Sequence, residues 1–383
     1  MAKRRAEVAG AGFAGLAVAA MLAERDWSVR VHERMDAIRE IGAGIFLHNN
    51  GLLVLEEMGV MAVLAARGTE LEWERMRDAR GHALQNRRLA RHSRVWSFPR
   101  QAVIDALHAA ALKRGVDIET SSTIASASAE GRLTGPGGEP FEADLVIGAD
   151  GHRSVVRRDL GLTRIERQLP TTSIRYLLEG RELAPEPVTT EHWSGRRRVA
   201  LAASGPANTY CHMACPESDE AGSAVPLDVD SWTEHFPLLG PVFDLLHRSE
   251  PHRSSYSFVR AVPWHSGRAV LLGDAAHALA PTLGQGTNLA LSNARSLVTF
   301  LETCRDVPTA LGEWERAVRP VTDATQLWAG RYDRATKHWP DWLLPARAAT
   351  IWAFGALPPL NARLRRADRT PPITRKLRQE AAA

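Results

Sequence analysis

Glu7-Val8-Ala9-Gly10-Ala11-Gly12-Phe13-Ala14-Gly15-Leu16 decides how this 383-residue chain is read. A short apolar run enters a turn with glycines at 10, 12 and 15. Apolar residues at helical spacing follow from Leu16 to Asp26, and Ser28-Val29-Arg30-Val31-His32-Glu33 alternates like a strand. Strand, glycine turn, helix and strand within about thirty residues make a βαβ unit. The glycines allow a tight turn and let backbone approach a pyrophosphate. The helix N-terminus offers that anion its unpaired N–H groups, and Glu33, at the end of the second strand, is placed to accept from ribose hydroxyls. A Gly-x-Gly-x-x-Gly string alone is weak evidence; the strand before it, the helix it opens and the acid beyond are the confirming context.

Two further stretches have the same form, a strand ending in an acid. Asp144-Leu145-Val146-Ile147-Gly148-Ala149-Asp150-Gly151 runs into an acid–glycine turn, with Ser154 and Arg157 beyond it. Gly267-Arg268-Ala269-Val270-Leu271-Leu272-Gly273-Asp274 leads through Pro281 to Gly284-Gln285-Gly286-Thr287-Asn288, where a helix is expected to start near Thr287. Asp274 is positioned to hold a polyol, or more plainly to cap a helix. Between these stretches, residues 166–262 change texture. Thr172–Leu178, Val188–Trp193, Val199–Ala203, Thr209–Ala214 and Ser254–Val262 are strand-like, which predicts an antiparallel sheet interrupted by a helix near Ser231–Phe236. Residues 310–383 read as mostly helical.

Composition excludes several classes. With 44% hydrophobic and 24% charged residues the chain is globular. No apolar stretch is long enough to span a membrane. The N-terminus lacks a signal-peptide pattern, so cytoplasmic residence is the default expectation. Net charge is +4 with the basic residues scattered, which argues against nucleic acid. Cys211 and Cys215 fall on one face of a strand and His212 on the other, so Cys211-His212-Met213-Ala214-Cys215 is not read as a metal site, and none is expected elsewhere.

In order and spacing the three motifs together resemble the class A flavoprotein aromatic monooxygenases of the 4-hydroxybenzoate hydroxylase group. The resemblance covers essentially the whole chain. It implies an α/β fold: a Rossmann-like FAD-binding domain (1–72, 97–165 and 266–383, the last with C-terminal helices) holding an inserted antiparallel β-sheet substrate domain (73–96 and 166–265). By it, Gly10, Gly12, Ala14, Gly15, Glu33 and Arg34 bind the ADP half of non-covalent FAD. Asp274 holds the ribityl chain, and Asp150 serves the pyrophosphate and NAD(P)H. Gly284, Gly286, Thr287 and Asn288 lie at the pyrimidine side of the flavin, where a helix dipole favours the reduced anion. Arg39, ahead of Gly42-Ala43-Gly44, together with Gly44 and Arg100, matches flavin-contacting positions. Since no second nucleotide-binding βαβ unit is present, NAD(P)H is expected as a transient co-substrate, with O₂ as oxidant.

Within that group the resemblance is nearest to the 2-methyl-3-hydroxypyridine-5-carboxylate oxygenases, through Glu7–Leu16, Gly42–Leu47 with Asn50-Gly51, and Pro226 to Pro241. It implies that Arg198 and Tyr210 hold a substrate carboxylate, with Arg175 beside them. An Arg fork matches a planar carboxylate and a Tyr hydroxyl adds a directional bond. Against this, Arg196-Arg197-Arg198 also reads as a solvated basic run, and the tyrosine that the oxygenases carry near the ring is missing around Leu71-Glu72-Trp73. Pro281, Gly284 and His48 are assigned to the reacting centre, with His48 and His212 as candidates for ring deprotonation. The expected substrate is a small hydroxylated aromatic or N-heteroaromatic carboxylate, with ring opening where it is a 3-hydroxypyridine. A plain hydroxylase of a hydroxybenzoate or hydroxynicotinate stays open, as does a non-catalytic flavin-binding regulator. Nothing in the sequence opposes a homo-oligomer.

Overall fold

The computed structural model describes residues 3–39, 43–90, 93–337, 339 and 341–380; Gly42 lies outside them. Arg5–Ala9, Ser28–His32 and Asp117–Glu119 are parallel neighbours on one side of a six-stranded sheet. Leu145–Gly148 and Ala269–Leu271 continue it in parallel on the other side, and His265–Ser266 closes that edge antiparallel. The chain therefore leaves Arg5–Ala9 first in one direction and later in the other. Ligands of open α/β sheets sit at the carboxyl ends of the strands at such a reversal. The register sets Ala9 beside both His32 and Gly148, and Gly148 beside Leu271. The residues just past these, Gly10, Glu33, Asp150 and Asp274, consequently emerge along one edge. The helix Phe13–Ala23 is apolar all round and almost wholly buried, as an internal helix must be.

The second sheet has seven strands, in the order His252–Ala261, Thr163–Glu179, Asn208–Pro216, Arg197–Ala203, Val188–Ser194, Trp73–Asp78, Ala83–Arg88. It is antiparallel except where Val188–Ser194 runs parallel to Trp73–Asp78. That junction departs from the purely antiparallel expectation, because the Trp73–Arg88 hairpin reaches the sheet from a distant part of the chain. Strand period sorts the two faces. Ile174, Tyr176, Leu178, Val199, Leu201, Cys211, Met213 and Cys215 pack against Trp232, Phe236, Val242, Phe243 and Leu246. These come from the expected helix, Val229–His235, with its C-cap Phe236, and from a second, Gly240–His247, not anticipated from sequence. The opposite face carries Arg175, Arg198, Tyr210 and His212 towards the first sheet's edge.

Gly44–His48 pairs with Val95–Pro99 between the two large sheets. The helix Gly286–Thr303 packs on Phe13–Ala23, and Val307–Lys337, Leu344–Ala356 and Pro358–Leu364 follow it. No single described helix is long and apolar enough to cross a membrane.

Candidate active site

At the sheet edge the glycine turn is built as its spacing requires. Gly10 has φ +99°, and a Cβ there would lie 2.5 Å from the Ala149 carbonyl oxygen; one on Gly15 would lie 1.9 Å from the Gly10 carbonyl oxygen. Around Gly12, by contrast, an added Cβ would meet nothing within 4 Å. The packed glycines hold the turn, and the open one exposes the start of helix Phe13–Ala23. Ala14 lies under Gly273, 3.3 Å from where a Cβ would stand. Glu33 accepts from the backbone N–H groups of Ala11 (3.0 Å) and Met35 (2.9 Å), tying the turn to the neighbouring strand end with acceptor capacity to spare. Asp150 accepts from the N–H groups of Val155 (2.7 Å) and Val156 (3.3 Å), while its Oδ1 is buried without a hydrogen-bond partner among the described residues. Burial pushes its pKa up. The fully buried Arg157 straps this turn to the rest, donating to His152 O (2.7 Å), Ala275 O (3.0 Å) and Glu166 Oε2 (2.7 Å). Arg34 and Arg39 are exposed; Arg39 donates to Asp36 (2.6 Å) and does not line the cavity described next.

From Asp274 a cavity of about 520 Å³ runs between the two sheets. Gly44, His48, Arg100, Asp274, Pro281, Gly284, Gly286 and Thr287 line one side, and Arg175, Arg198, Tyr210 and His212 the other. The arginine of Arg100 also lies over the Phe13 ring, 4.9 Å from its centroid. The N-terminus of Gly286–Thr303 faces this space with first-turn N–H groups that have no intrahelical acceptor. Asn288 is fully buried and does not reach into the cavity. Its Oδ1 accepts from His48 N–H (2.8 Å), and its Nδ2 donates to Gly284 O (2.8 Å) and Phe46 O (3.3 Å), clamping the strand Gly44–His48 to the loop. Gly44 must be glycine because a Cβ there would stand 2.3 Å from Tyr210 Cγ.

The three consecutive arginines occupy three environments, which removes the solvated-run reading. Arg196 is exposed. Arg197 turns to the helix-covered face and makes a two-pronged pair with Asp219 (2.7 and 2.8 Å). Arg198 turns to the cavity, 4.8 Å from the Trp193 ring centroid and 3.1 Å from Glu191. Arg198 pairs in register with Ala214, and Tyr210 with Ala202, so the two stand four residues, about 13 Å, apart along neighbouring strands. Arg175, opposite His212, lies between; it donates to Ser254 Oγ (2.7 Å). Arg175 Nε, Arg198 Nε and His212 Nε2 are buried on this one wall without hydrogen-bond partners among the described residues. Burial, then Arg198, Arg175 and Lys337, hold His212 well below the usual imidazole range, so it is neutral. Burial raises the Tyr210 hydroxyl.

Several groups here were invisible to sequence reasoning. Glu191 has a signal in retrospect: opposite Ala200, it stands diagonal to Arg198 on the same face of the hairpin of two expected strands. Asp333, which is ion-paired with Lys337 and accepts from Thr282 Oγ1 (2.7 Å), carries no such signal. Nor does the chain of Arg87, Glu74, Arg365 and Asp368, which joins the hairpin to the C-terminal segment.

An open helix N-terminus, an acid at each of three strand ends, an unpartnered buried carboxylate oxygen and an adjoining cavity fit an FAD laid across the sheet edge. The family model for the FAD binding domain matches residues 5–306, and the chain belongs to that family of class A flavoprotein monooxygenases. Among its relatives, 2-heptyl-3-hydroxy-4(1H)-quinolone synthase of Mycobacteroides abscessus is 34% identical over 337 residues, covering 85% of this chain and 89% of that protein. The 6-hydroxynicotinate 3-monooxygenase of Bordetella bronchiseptica is 27% identical over 373 residues, 92% of this chain and 95% of that one. Among solved structures, a tetrameric form of 2-methyl-3-hydroxypyridine-5-carboxylic acid oxygenase superposes with TM-score 0.86 at 31% identity over 97% of each chain. The enzyme is thus an FAD-dependent monooxygenase.

Proposed function

We propose that this enzyme uses NAD(P)H and O₂ to oxygenate a hydroxylated N-heteroaromatic ring bearing a carboxylate. The supporting observation is the wall on which Arg175 Nε, Arg198 Nε and His212 Nε2 lie buried without hydrogen-bond partners among the described residues. The Arg175 and Arg198 donors, left unsatisfied in a cavity, cost about 1–3 kcal/mol each, and an anionic acceptor removes that cost. Tyr210, packed on Gly44, adds a hydroxyl. A 3-hydroxypyridine-type ring would be opened after oxygenation, as the likeness to the hydroxypyridine-carboxylic acid oxygenase suggests.

In this reading residues 1–72, 97–165 and 266–383 hold FAD and 73–96 and 166–265 hold substrate. When bound, the flavin supplies hydride acceptance and oxygen activation. The protein's part is positioning and water exclusion. Gly10, Gly12, Ala14, Gly15 and Glu33 seat the ADP half, Asp150 stands in the acid–glycine turn beside the pyrophosphate, and Asp274 holds the ribityl chain. Pro281, Gly284, Gly286 and Thr287 place a helix N-terminus against the flavin ring, and Arg100 flanks it. His48 and His212, both neutral, are acceptors for a ring proton.

One observation favours a second reading. Glu191 neutralises Arg198, which suits a ring without a carboxylate, such as the quinolone named for the relative from M. abscessus. A panel of hydroxypyridine and hydroxybenzoate carboxylates and carboxylate-free quinolones, scored by NAD(P)H consumption and product mass, decides between them. One oxygen gained means hydroxylation, two mean ring opening, and no substrate-stimulated consumption sinks both readings. Light scattering tests for a homo-oligomer, which the tetrameric relative suggests.

A further inference from the structure

His48 is the last residue of the strand Gly44–His48. Its main-chain N–H is held by Asn288, and its Nε2 points at Gly284, 3.0 Å from where a Cβ would be. The other ring nitrogen, Nδ1, is buried without a hydrogen-bond partner among the described residues. Facing it at 3.9 Å is Oδ1 of Asp368, from the segment after helix Pro358–Leu364. Asp368 is 2% exposed. Its Oδ1 accepts from Asn49 N–H (3.2 Å), and its Oδ2 has no hydrogen bond among the described residues, with Arg365 at 3.7 Å. Arg365 in turn meets Glu74 (3.4 Å), which is paired with Arg87.

A buried carboxylate is costly unless its lone pairs are used. Here one oxygen lacks a hydrogen bond and the other stands just out of reach of an equally unpartnered imidazole nitrogen. Catalytic hydrogen bonds are often long before substrate binds and tighten afterwards. The charged groups facing His48 are Asp368, Glu74, Arg365 and Arg87; burial outweighs them and keeps the ring neutral.

We propose that Asp368 is a positioning residue that fixes His48 with its proton on Nδ1, leaving Nε2 to take the proton of the substrate's ring hydroxyl. The O–H bond breaks, the N–H bond forms on Nε2, and the electron pair stays on the ring oxygen, enriching the ring for attack on an electrophilic oxygen. Asp368 steadies the imidazolium, which returns the proton to solvent as product leaves. An orienting carboxylate that sets a tautomer can govern a base in this way. The inference rests on the aromatic-oxygenation reading of the cavity.

Imidazole ¹⁵N spectra of the FAD-loaded protein, with His48 assigned by its loss in His48→Gln, read the tautomer without turnover. The expected parent signal is a protonated Nδ1 and an unprotonated Nε2. Asp368→Ala should mix the tautomers and lower kcat about tenfold or more, with KM and FAD affinity retained, and Asp368→Glu should restore part of both. An active enzyme whose His48 carries its proton on Nε2, or whose tautomer is unmoved in Asp368→Ala, overturns the positioning role alone. A protein inert towards every ring offered fails earlier, at the functional reading. Should Asp368→Ala not fold, the parent tautomer still decides.

Discussion

Gly12→Ala should separate flavin binding from folding, because Gly12 differs from its neighbours in what surrounds it. The backbone there, φ −79° and ψ −172°, is open to alanine, and the new methyl would meet nothing within 4 Å. Apoprotein stability should therefore stay within about 1 kcal/mol of the parent, since reduced unfolded-state freedom offsets a poorer helix N-cap. The methyl would occupy the space through which a pyrophosphate reaches the first-turn N–H groups. Losing one or two charge-assisted hydrogen bonds, at about 1.5–3 kcal/mol each, weakens FAD binding by roughly tenfold to ten-thousandfold. Gly10→Ala should behave the opposite way. Its φ of +99° costs a side chain about 1–2 kcal/mol, and a Cβ 2.5 Å from the Ala149 carbonyl oxygen adds about 1–3 kcal/mol of overpacking. That is a large part of the 5–15 kcal/mol that holds a typical domain. Thermal melts of the apoproteins and FAD titration by fluorescence quenching measure both effects. Gly12→Ala with parental FAD affinity, or with an apoprotein melting as low as Gly10→Ala, would refute the placement of the pyrophosphate.

Arg198→Lys, which keeps the charge but loses the fork, should weaken an aromatic carboxylate by about 2–4 kcal/mol, some thirty- to a thousandfold, with FAD content unchanged. Glu191→Gln should tighten the same ligand and leave an uncharged ring unaffected; calorimetric titration of both ligands checks each, and equal effects on the two would remove Arg198 from the substrate site. Asn288→Ala strands three buried partners and should cost about 2–4 kcal/mol, seen as a lower melting temperature and faster FAD loss, whereas a parental melt would show the clamp to be dispensable. His277 is buried and held at about 4 against 6.5 unfolded. Between those values the unfolded chain binds more protons, so stability is full above pH 6.5 and falls as pH drops, by about 2 kcal/mol at pH 5. Denaturant melts of His277→Gln across that range should show a flatter pH dependence, and an unchanged slope would contradict it. His48 and His212, also lowered by burial, act in the same direction.

What backbone geometry and strand period dictate locally could be read from the residues alone. Gly10 needs its positive φ and Gly15 its close approach whatever lies elsewhere, so the glycine turn was legible, and with it the sheet that places an acid past the ends of three strands. Alternation along Asn208–Pro216 put Cys211 and Cys215 on one face and His212 on the other, as the packed sheet has them. Tertiary structure decided what these residues meet, because partners distant in the chain are chosen by register and packing. Composition could not show that Arg196, Arg197 and Arg198 would face solvent, Asp219 and Glu191 in turn. Strand spacing could not show the offset between Arg198 and Tyr210 before the register was known, nor that Arg39 would pair with Asp36 outside the cavity. No local pattern joins His48 to Asp368: that contact exists because the C-terminal segment folds back over the cavity, carrying a carboxylate to a histidine at the other end of the chain.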